Sequence, residues 1–222
     1  MFDPDPETMP TQVPPKPPRK LSRAARRQQL IEATIEVLAL KGYARMTLGE
    51  VARAAGLSHG LVNFHFESKE KLLTETLLFL AEEYRLNWTL ALEAASDDPA
   101  SQLDALLRAD FNPAICTPPR LAAWCSFWGE AQARPIYQEE CGSNDDRYIE
   151  VLEAICARLI AADGSQLDAR RVARVLRVTI EGVWLDLMTM NAPYDGDEGQ
   201  GTVFTCAAAF FPKHFTGAGL IG

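Results

Sequence analysis

Hydrophobic residues recur along most of this chain at intervals of three and four, the spacing of one face of an α-helix. The first such stripe begins after Ser22 and predicts a helix that ends near Lys41, where Gly42 is suited to a C-cap. The stripe comprises Leu30, Ala33, Thr34, Val37 and Leu38.

Two short helices are predicted next. Thr47 and Glu50 have the spacing of a capping box, and Gly56 ends the helix that they start. Ser58 is suited to cap a second short helix that ends near Phe66. Two short helices joined by a turn that contains glycine predict a helix-turn-helix.

The rest of the chain keeps the helical period and shows no alternating pattern typical of a strand. Further helices are predicted to start near Ser68, Pro99, Pro118, Pro135, Asp168 and Val203. A loop is predicted from Asn191 to Gly201, before the last helix, which ends at Phe211. Nine helices and no sheet predict an all-α protein.

Charge divides the chain into unlike parts. Its 222 residues carry a net charge of -8, but segment 19–66 carries +5 and segment 67–222 carries -11. A basic module attracts polyanions such as nucleic acid, whereas an acidic one repels them. We therefore expect a phosphate-binding domain over 19–67 and a larger domain over 68–222.

Other features exclude several classes of protein. Segment 1–18 holds seven of the 14 prolines and is predicted to be a disordered tail. No apolar run is long enough to span a bilayer and no secretory signal is evident, so we expect a cytoplasmic protein without a membrane partner. The five cysteines lack CxxC spacing, and no cofactor or catalytic motif occurs, so we expect no metal site, no cofactor and no enzymatic activity.

A distinctive order of residues runs through the helix-turn-helix and its flanks. It reads Arg26-Arg27, Gly42-Tyr43, Thr47, Ala52, Ala55-Gly56, Ser58, Gly60, Phe64-His65-Phe66, Lys69 and Leu72-Leu73. This order resembles the amino-terminal domain of TetR-family transcriptional repressors. Asn63 stands where that family usually has tyrosine. The resemblance implies a TetR-like fold with a DNA-binding domain followed by a ligand-binding and dimerisation domain.

Two aromatic blocks farther along extend the resemblance. AAWCSFW over 122–128 and EGVWL over 181–185 are similar to segments of the BetI-type branch. That branch implies a repressor that binds its operator as a homodimer. It also implies control of glycine betaine synthesis by choline or another quaternary ammonium ligand.

The helix-turn-helix geometry predicts which residues contact DNA, because the amino end of the second helix enters the major groove. The residues expected to face the bases are Ser58, His59, Gly60 and Asn63. The residues expected to contact phosphates are Arg23, Arg26, Arg27, Thr47, His65 and Lys69. Asn63 is suited to pair with the edge of an adenine.

Aromatic residues suggest a ligand site between the sixth and eighth helices. Trp124, Phe127 and Trp128 have the spacing of one helix face, and Trp184 lies on another long helix. Such rings bind quaternary ammonium groups by cation–π attraction, and carboxylates supply compensating charge. The carboxylates expected to do so are Asp110, Glu130, Glu181 and Asp186. The alternatives are an aromatic core without a ligand, or a neutral ligand in the same place.

The last two helices are expected to form the dimer interface as a four-helix arrangement. The predicted interface residues are Val172, Val175, Leu176, Thr179, Val183, Leu187, Phe204, Ala208 and Phe211. Because the eighth helix is apolar on more than one side, we expect these stripes to serve both the interface and the core of their own protomer. The alternative is that both stripes belong only to the core of one protomer. A helical scaffold protein that does not bind DNA is also open at this point.

Overall fold

The computed structural model describes residues 22–131, 135–189 and 195–222. Within those ranges the chain forms nine α-helices and one small β-hairpin, which confirms the all-α prediction. The bounds are α1 Arg23–Arg45, α2 Leu48–Ala54, α3 His59–Phe66, α4 Lys69–Ala94, α5 Pro99–Ala109, α6 Pro118–Ala131, α7 Pro135–Asp163, α8 Ala169–Thr189, α9 Gly196–Phe210, β1 Phe215–Thr216 and β2 Gly219–Leu220. The predicted tail over 1–18 and part of the predicted loop after α8 lie outside the described residues.

The predicted N-caps are present. The Thr47 hydroxyl accepts from the Glu50 backbone N–H at 3.3 Å, and the Glu50 carboxylate accepts from the Thr47 N–H at 3.1 Å. Ser58 and Ser68 each accept a backbone N–H three residues later. These local bonds fix where α2, α3 and α4 begin.

One helix end agrees with the prediction and one differs. Gly42 adopts φ 73° and interrupts α1 where its end was predicted, and a short helical segment follows to Arg45. The last helix starts at Gly196, seven residues before the predicted Val203, because the Asp195 carboxylate accepts the N–H groups of Asp197 and Glu198. Side-chain capping therefore extends α9 into a segment whose glycines suggested a loop.

A β-hairpin with two residues in each strand follows α9. Phe215 pairs with Leu220 in antiparallel register, and Phe215 is buried against the Phe204 ring. Strands of two residues are too short to produce an alternating pattern, which explains why the sequence did not predict them.

The helices enclose two hydrophobic cores. One joins α1–α4 with side chains of α6, and the other joins α5 with α7–α9. Tyr84 of α4 and Trp128 of α6 pack against both cores. Among the described helices, none is both long enough and apolar enough to cross a membrane.

Candidate functional site

The first half of α3 is open to solvent. We call Ser58, His59, Gly60 and Asn63 the recognition surface, because all four are exposed. His59 and Asn63 lie one turn apart, with Nδ1 and Nδ2 separated by 3.3 Å. The predicted base-facing residues therefore share one accessible face, and their individual base contacts stay predictions.

His65 does not lie on that face. Its side chain is buried with 6% exposure, and its Nδ1 has no hydrogen-bond partner in the described part of the chain. Burial, followed by the charges of Arg23, Arg27 and Arg26, lowers the pKa of His65. A buried, neutral imidazole cannot contact a phosphate, so that prediction is corrected.

Arg27 stabilises the domain from within. Its guanidinium lies 4.4 Å from the centroid of the Phe66 ring, forms an ion pair with Glu75 at 2.5 Å and donates to the His65 carbonyl. These contacts tie α1 to α3 and α4. Arg27 therefore has a structural role, and because 27% of its side chain is exposed, its phosphate contact stays a prediction.

The other predicted phosphate ligands are better placed. Arg23 and Thr47 are exposed, and Arg26 is half-buried and donates to Gln29 at 2.8 Å. Lys69 donates to the carbonyl of Tyr43 at 3.2 Å at the end of α1. Their phosphate contacts remain predictions.

A cavity lies between α4, α6, α7 and α8. The aromatic cavity, as we call it, is lined by the rings of Tyr84, Trp124, Trp128, Tyr148 and Trp184. The Trp128 and Trp184 rings are nearly parallel, at 6°, with centroids 6.3 Å apart. Three of the predicted aromatic residues therefore meet in the predicted place.

Phe127 does not line the cavity. It is 5% exposed in the amino-terminal core, and its ring meets the edge of Tyr43 at a centroid distance of 6.0 Å. One residue of helix turns the side chain by about 100°, so Phe127 and Trp128 face different neighbours. The prediction that Phe127 binds ligand is corrected.

Charged groups complete the wall of the cavity. Glu181, which was predicted, is joined there by Asp145 and Arg177, which were not. Arg177 donates to Glu181 at 2.9 Å and lies 3.9 Å from Asp145. The spacing of Arg177 and Glu181, four residues apart on a helix, was a usable signal for this pair.

Asp110 lies behind the cavity. Its fully buried carboxylate accepts hydrogen bonds from the Tyr84 hydroxyl at 2.6 Å and the Tyr148 hydroxyl at 2.8 Å. The Trp184 indole donates to the Asp110 carbonyl at 3.2 Å. Burial raises the pKa of Asp110 to about 7, although the two tyrosine hydrogen bonds oppose the rise. Asp110 therefore positions the rings and does not line the cavity, so the prediction that it contacts a ligand is corrected.

The helix that carries Trp124 and Trp128 also contacts the amino-terminal helices. Near its start, Arg120 donates to Glu83 of α4 at 2.6 Å and to Glu32 of α1 at 3.3 Å. Farther along α6, Phe127 meets Tyr43 of α1 as described above. Helix α6 is therefore in direct contact with α1 at two points along its length.

Most of the predicted dimer-interface residues belong to the protomer's own core. Five of them are 7% exposed or less, namely Val172, Leu176, Leu187, Phe204 and Phe211. Val183 and Ala208 pack against the same core, Val175 is half-buried, and Thr179 bonds within α8 and lies 3.5 Å from Cys206. Because α8 and α9 bury these stripes against the chain itself, the interface prediction is corrected for the five buried residues.

Comparison with known proteins adds an independent line of evidence. The family model for bacterial regulatory proteins of the tetR family matches residues 30–76, and the model for the C-terminal part of BetI-type transcriptional repressors matches residues 99–212. The HTH-type transcriptional regulator BetI of Serratia proteamaculans is 31% identical over 77% of this chain and 84% of its own length. Its counterpart in Paraburkholderia phytofirmans is 31% identical over 80% of this chain and 89% of its own length.

Two solved structures share the fold. A transcriptional regulator from Pseudomonas aeruginosa PAO1 has a TM-score of 0.72 and 24% identity, and the match covers 87% of this chain and 93% of that one. A transcriptional regulator from Saccharomonospora viridis in complex with choline has a TM-score of 0.72 and 19% identity, with 86% and 98% covered.

Proposed function

This chain belongs to the TetR family of DNA-binding transcriptional regulators, in its BetI-type branch, and we propose that a small organic cation in the aromatic cavity controls its binding to DNA. The matched relatives are regulators and not enzymes, in agreement with the absence of catalytic motifs from the sequence. The wall of the aromatic cavity is the observation that carries the proposal.

The cavity has the chemistry that a quaternary ammonium group requires. Such a group cannot donate a hydrogen bond, so it is bound by the faces of aromatic rings, each worth about 0.5–2 kcal/mol. Three tryptophans and two tyrosines surround the space, with the carboxylates of Asp145 and Glu181 at its wall. Arg177 is paired with Glu181 at the same wall, so a bound cation would compete with its guanidinium for that carboxylate. The choline bound to the S. viridis regulator supports choline as the first probe.

Ligand binding requires the cavity to expand. Its volume is about 40 Å³, and a cavity needs roughly 10–15 Å³ of such volume to hold one water molecule, so choline requires more room. We propose that a bound cation separates the rings of Trp128 and Trp184, and with them α6 and α8. Because α6 contacts α1 through Arg120 and Phe127, we propose that this expansion moves the recognition helix α3 away from its DNA-binding position. A ligand with no preference between the two states would have no effect.

Calorimetry tests the charge requirement. Choline and its neutral carbon analogue 3,3-dimethylbutan-1-ol have nearly the same shape, so the difference in their affinities isolates the positive charge. We expect the neutral compound to bind at least tenfold more weakly. Cation–π attraction to only two of the rings is worth about 1.4 kcal/mol in total, which corresponds to a tenfold difference in Kd. Equal affinities would contradict the cation proposal and favour a neutral effector.

We further propose that the regulator acts as a homodimer through the outer face of α8. Val178 and Leu185 are 54% and 52% exposed, and Gly182 lies between them on the same face. An apolar stripe with a central glycine allows a second helix to approach closely. Leu185→Arg is expected to convert dimer to monomer in sedimentation experiments. Exposed Leu40→Arg on α1 is the matched control, and equal effects of the two changes would contradict this interface.

A further inference from the structure

Phe64 is an exposed aromatic residue on the DNA-binding helix. Its side chain is 67% exposed, although it lies between the exposed Asn63 and the buried His65 on α3. A single exposed apolar side chain is common on protein surfaces, so the position of Phe64 carries the inference and not its exposure alone. Its position beside the recognition surface indicates DNA as the partner.

The ring occupies a defined position on that surface. Residues four apart on a helix lie on the same face, one turn apart. Phe64 therefore lies one turn after Gly60, and Asn63 lies one turn after His59. The outward face of α3 therefore has a polar half and an apolar half. Apart from the neighbouring residues and backbone of α3 itself, no described atom lies within 4 Å of the position that a Gly60 side chain would begin to fill, so the surface beside Phe64 is open at Gly60.

Two neighbours hold the ring in place. The His65 ring meets it edge-on with centroids 5.2 Å apart, and the Arg23 guanidinium lies 5.9 Å from its centroid. The arginine brings a positive charge beside the apolar contact, where it can approach a phosphate while the ring faces the groove.

A phenyl ring lacks the hydroxyl that would bond to a phosphate, and it cannot pair with the donors and acceptors of base edges. In the major groove the thymine 5-methyl is the apolar group that distinguishes one base pair from the others. Resting on the DNA-binding function of this family, we propose that Phe64 is a specificity-determining residue that contacts a thymine 5-methyl in each half-site.

Uracil scanning tests this contact without altering the protein. An operator is first selected from random duplexes, and each thymine is then replaced in turn by uracil, which removes only the methyl group. Burial of one methyl is worth about three- to fourfold in affinity. We expect a loss of that size at one thymine position of the half-site and no loss elsewhere.

Variants assign the effect to Phe64. Phe64→Ala is expected to bind the thymine and uracil duplexes equally, and Phe64→Leu, which keeps an apolar side chain, is expected to retain part of the preference. Leu40→Ala removes another exposed apolar residue, one that is 80% exposed, and is expected to leave the preference unchanged.

The outcomes separate the two proposals. Failure to select any duplex would contradict DNA binding itself. Binding that no uracil substitution weakens, or a thymine preference that Phe64→Ala retains, would overturn the methyl contact and leave the regulator function intact.

Discussion

The buried carboxyl of Asp110 makes a quantitative prediction about stability and pH. Asp110 has no exposed surface, and burial raises its pKa from 3.8 to about 7. Between those values the unfolded chain releases this proton while the native chain keeps it. The native state then binds more protons, so the contribution of Asp110 to the free energy of unfolding falls as the pH rises.

The size of the effect follows from the shift. A change of about three pKa units corresponds to about 4 kcal/mol in total, and about 3 kcal/mol of it falls between pH 4.5 and pH 8. Above pH 8 the carboxyl is ionised in both states, and the penalty becomes constant. Asp110→Asn removes the titration and keeps an oxygen that accepts from Tyr84 or Tyr148.

Urea unfolding of the parent protein and of Asp110→Asn between pH 4.5 and pH 8 measures the effect. Groups that the two proteins share cancel in the difference between their unfolding free energies. We expect Asp110→Asn to gain about 3 kcal/mol relative to the parent protein between pH 4.5 and pH 8. A difference that does not change with pH, or one that changes in the opposite direction, would refute the reasoning.

Three further substitutions test the coupling between ligand and DNA binding, the charge of the aromatic cavity, and backbone strain at the end of α3. Arg120→Met is expected to leave the Kd of choline unchanged in calorimetry but to reduce severalfold the change in DNA affinity that choline causes. Arg85→Met, which breaks an exposed ion pair on α4, is the control. If Arg85→Met reduces the effect of choline on DNA affinity equally, Arg120 has no special role. Arg177→Gln leaves the cavity carboxylates without their internal cation. Because the carboxylates then attract choline by roughly 1 kcal/mol more, choline is expected to bind about fivefold more tightly. Weaker binding of choline to this variant would contradict the proposed role of the carboxylates. Glu67 has φ 62° and ψ -45°, a backbone conformation that is strained for any residue except glycine. Glu67→Gly is therefore expected to raise the unfolding free energy by about 1 kcal/mol, whereas Gly56→Ala, at φ 65°, should lower it. A loss of stability in Glu67→Gly would exclude backbone strain at this position.

Features that depend on nearby residues were predictable from the sequence. The caps at Thr47, Ser58 and Ser68 follow from hydrogen bonds that span three residues. Trp124 and Trp128 were placed together by helical spacing, and they do line one cavity.

Features that depend on packing between distant segments were not predictable. Tyr84 and Tyr148 reach the cavity from α4 and α7, and no spacing in the sequence relates them. Whether a polar side chain near α3 faces DNA depends on which helices cover it, so the buried His65 was misplaced. An apolar stripe shows that a face is covered but not by which chain, which explains the error over Leu176 and Phe204.

Operator release by choline tests the central claim most directly. The regulator is bound to a fluorescently labelled selected operator, and anisotropy is followed as choline or 3,3-dimethylbutan-1-ol is added. We predict that choline releases the DNA at concentrations at least tenfold below those at which the neutral compound acts. Equal potency of the two compounds, or DNA binding that saturating choline leaves unchanged, would contradict control by a cation in the aromatic cavity.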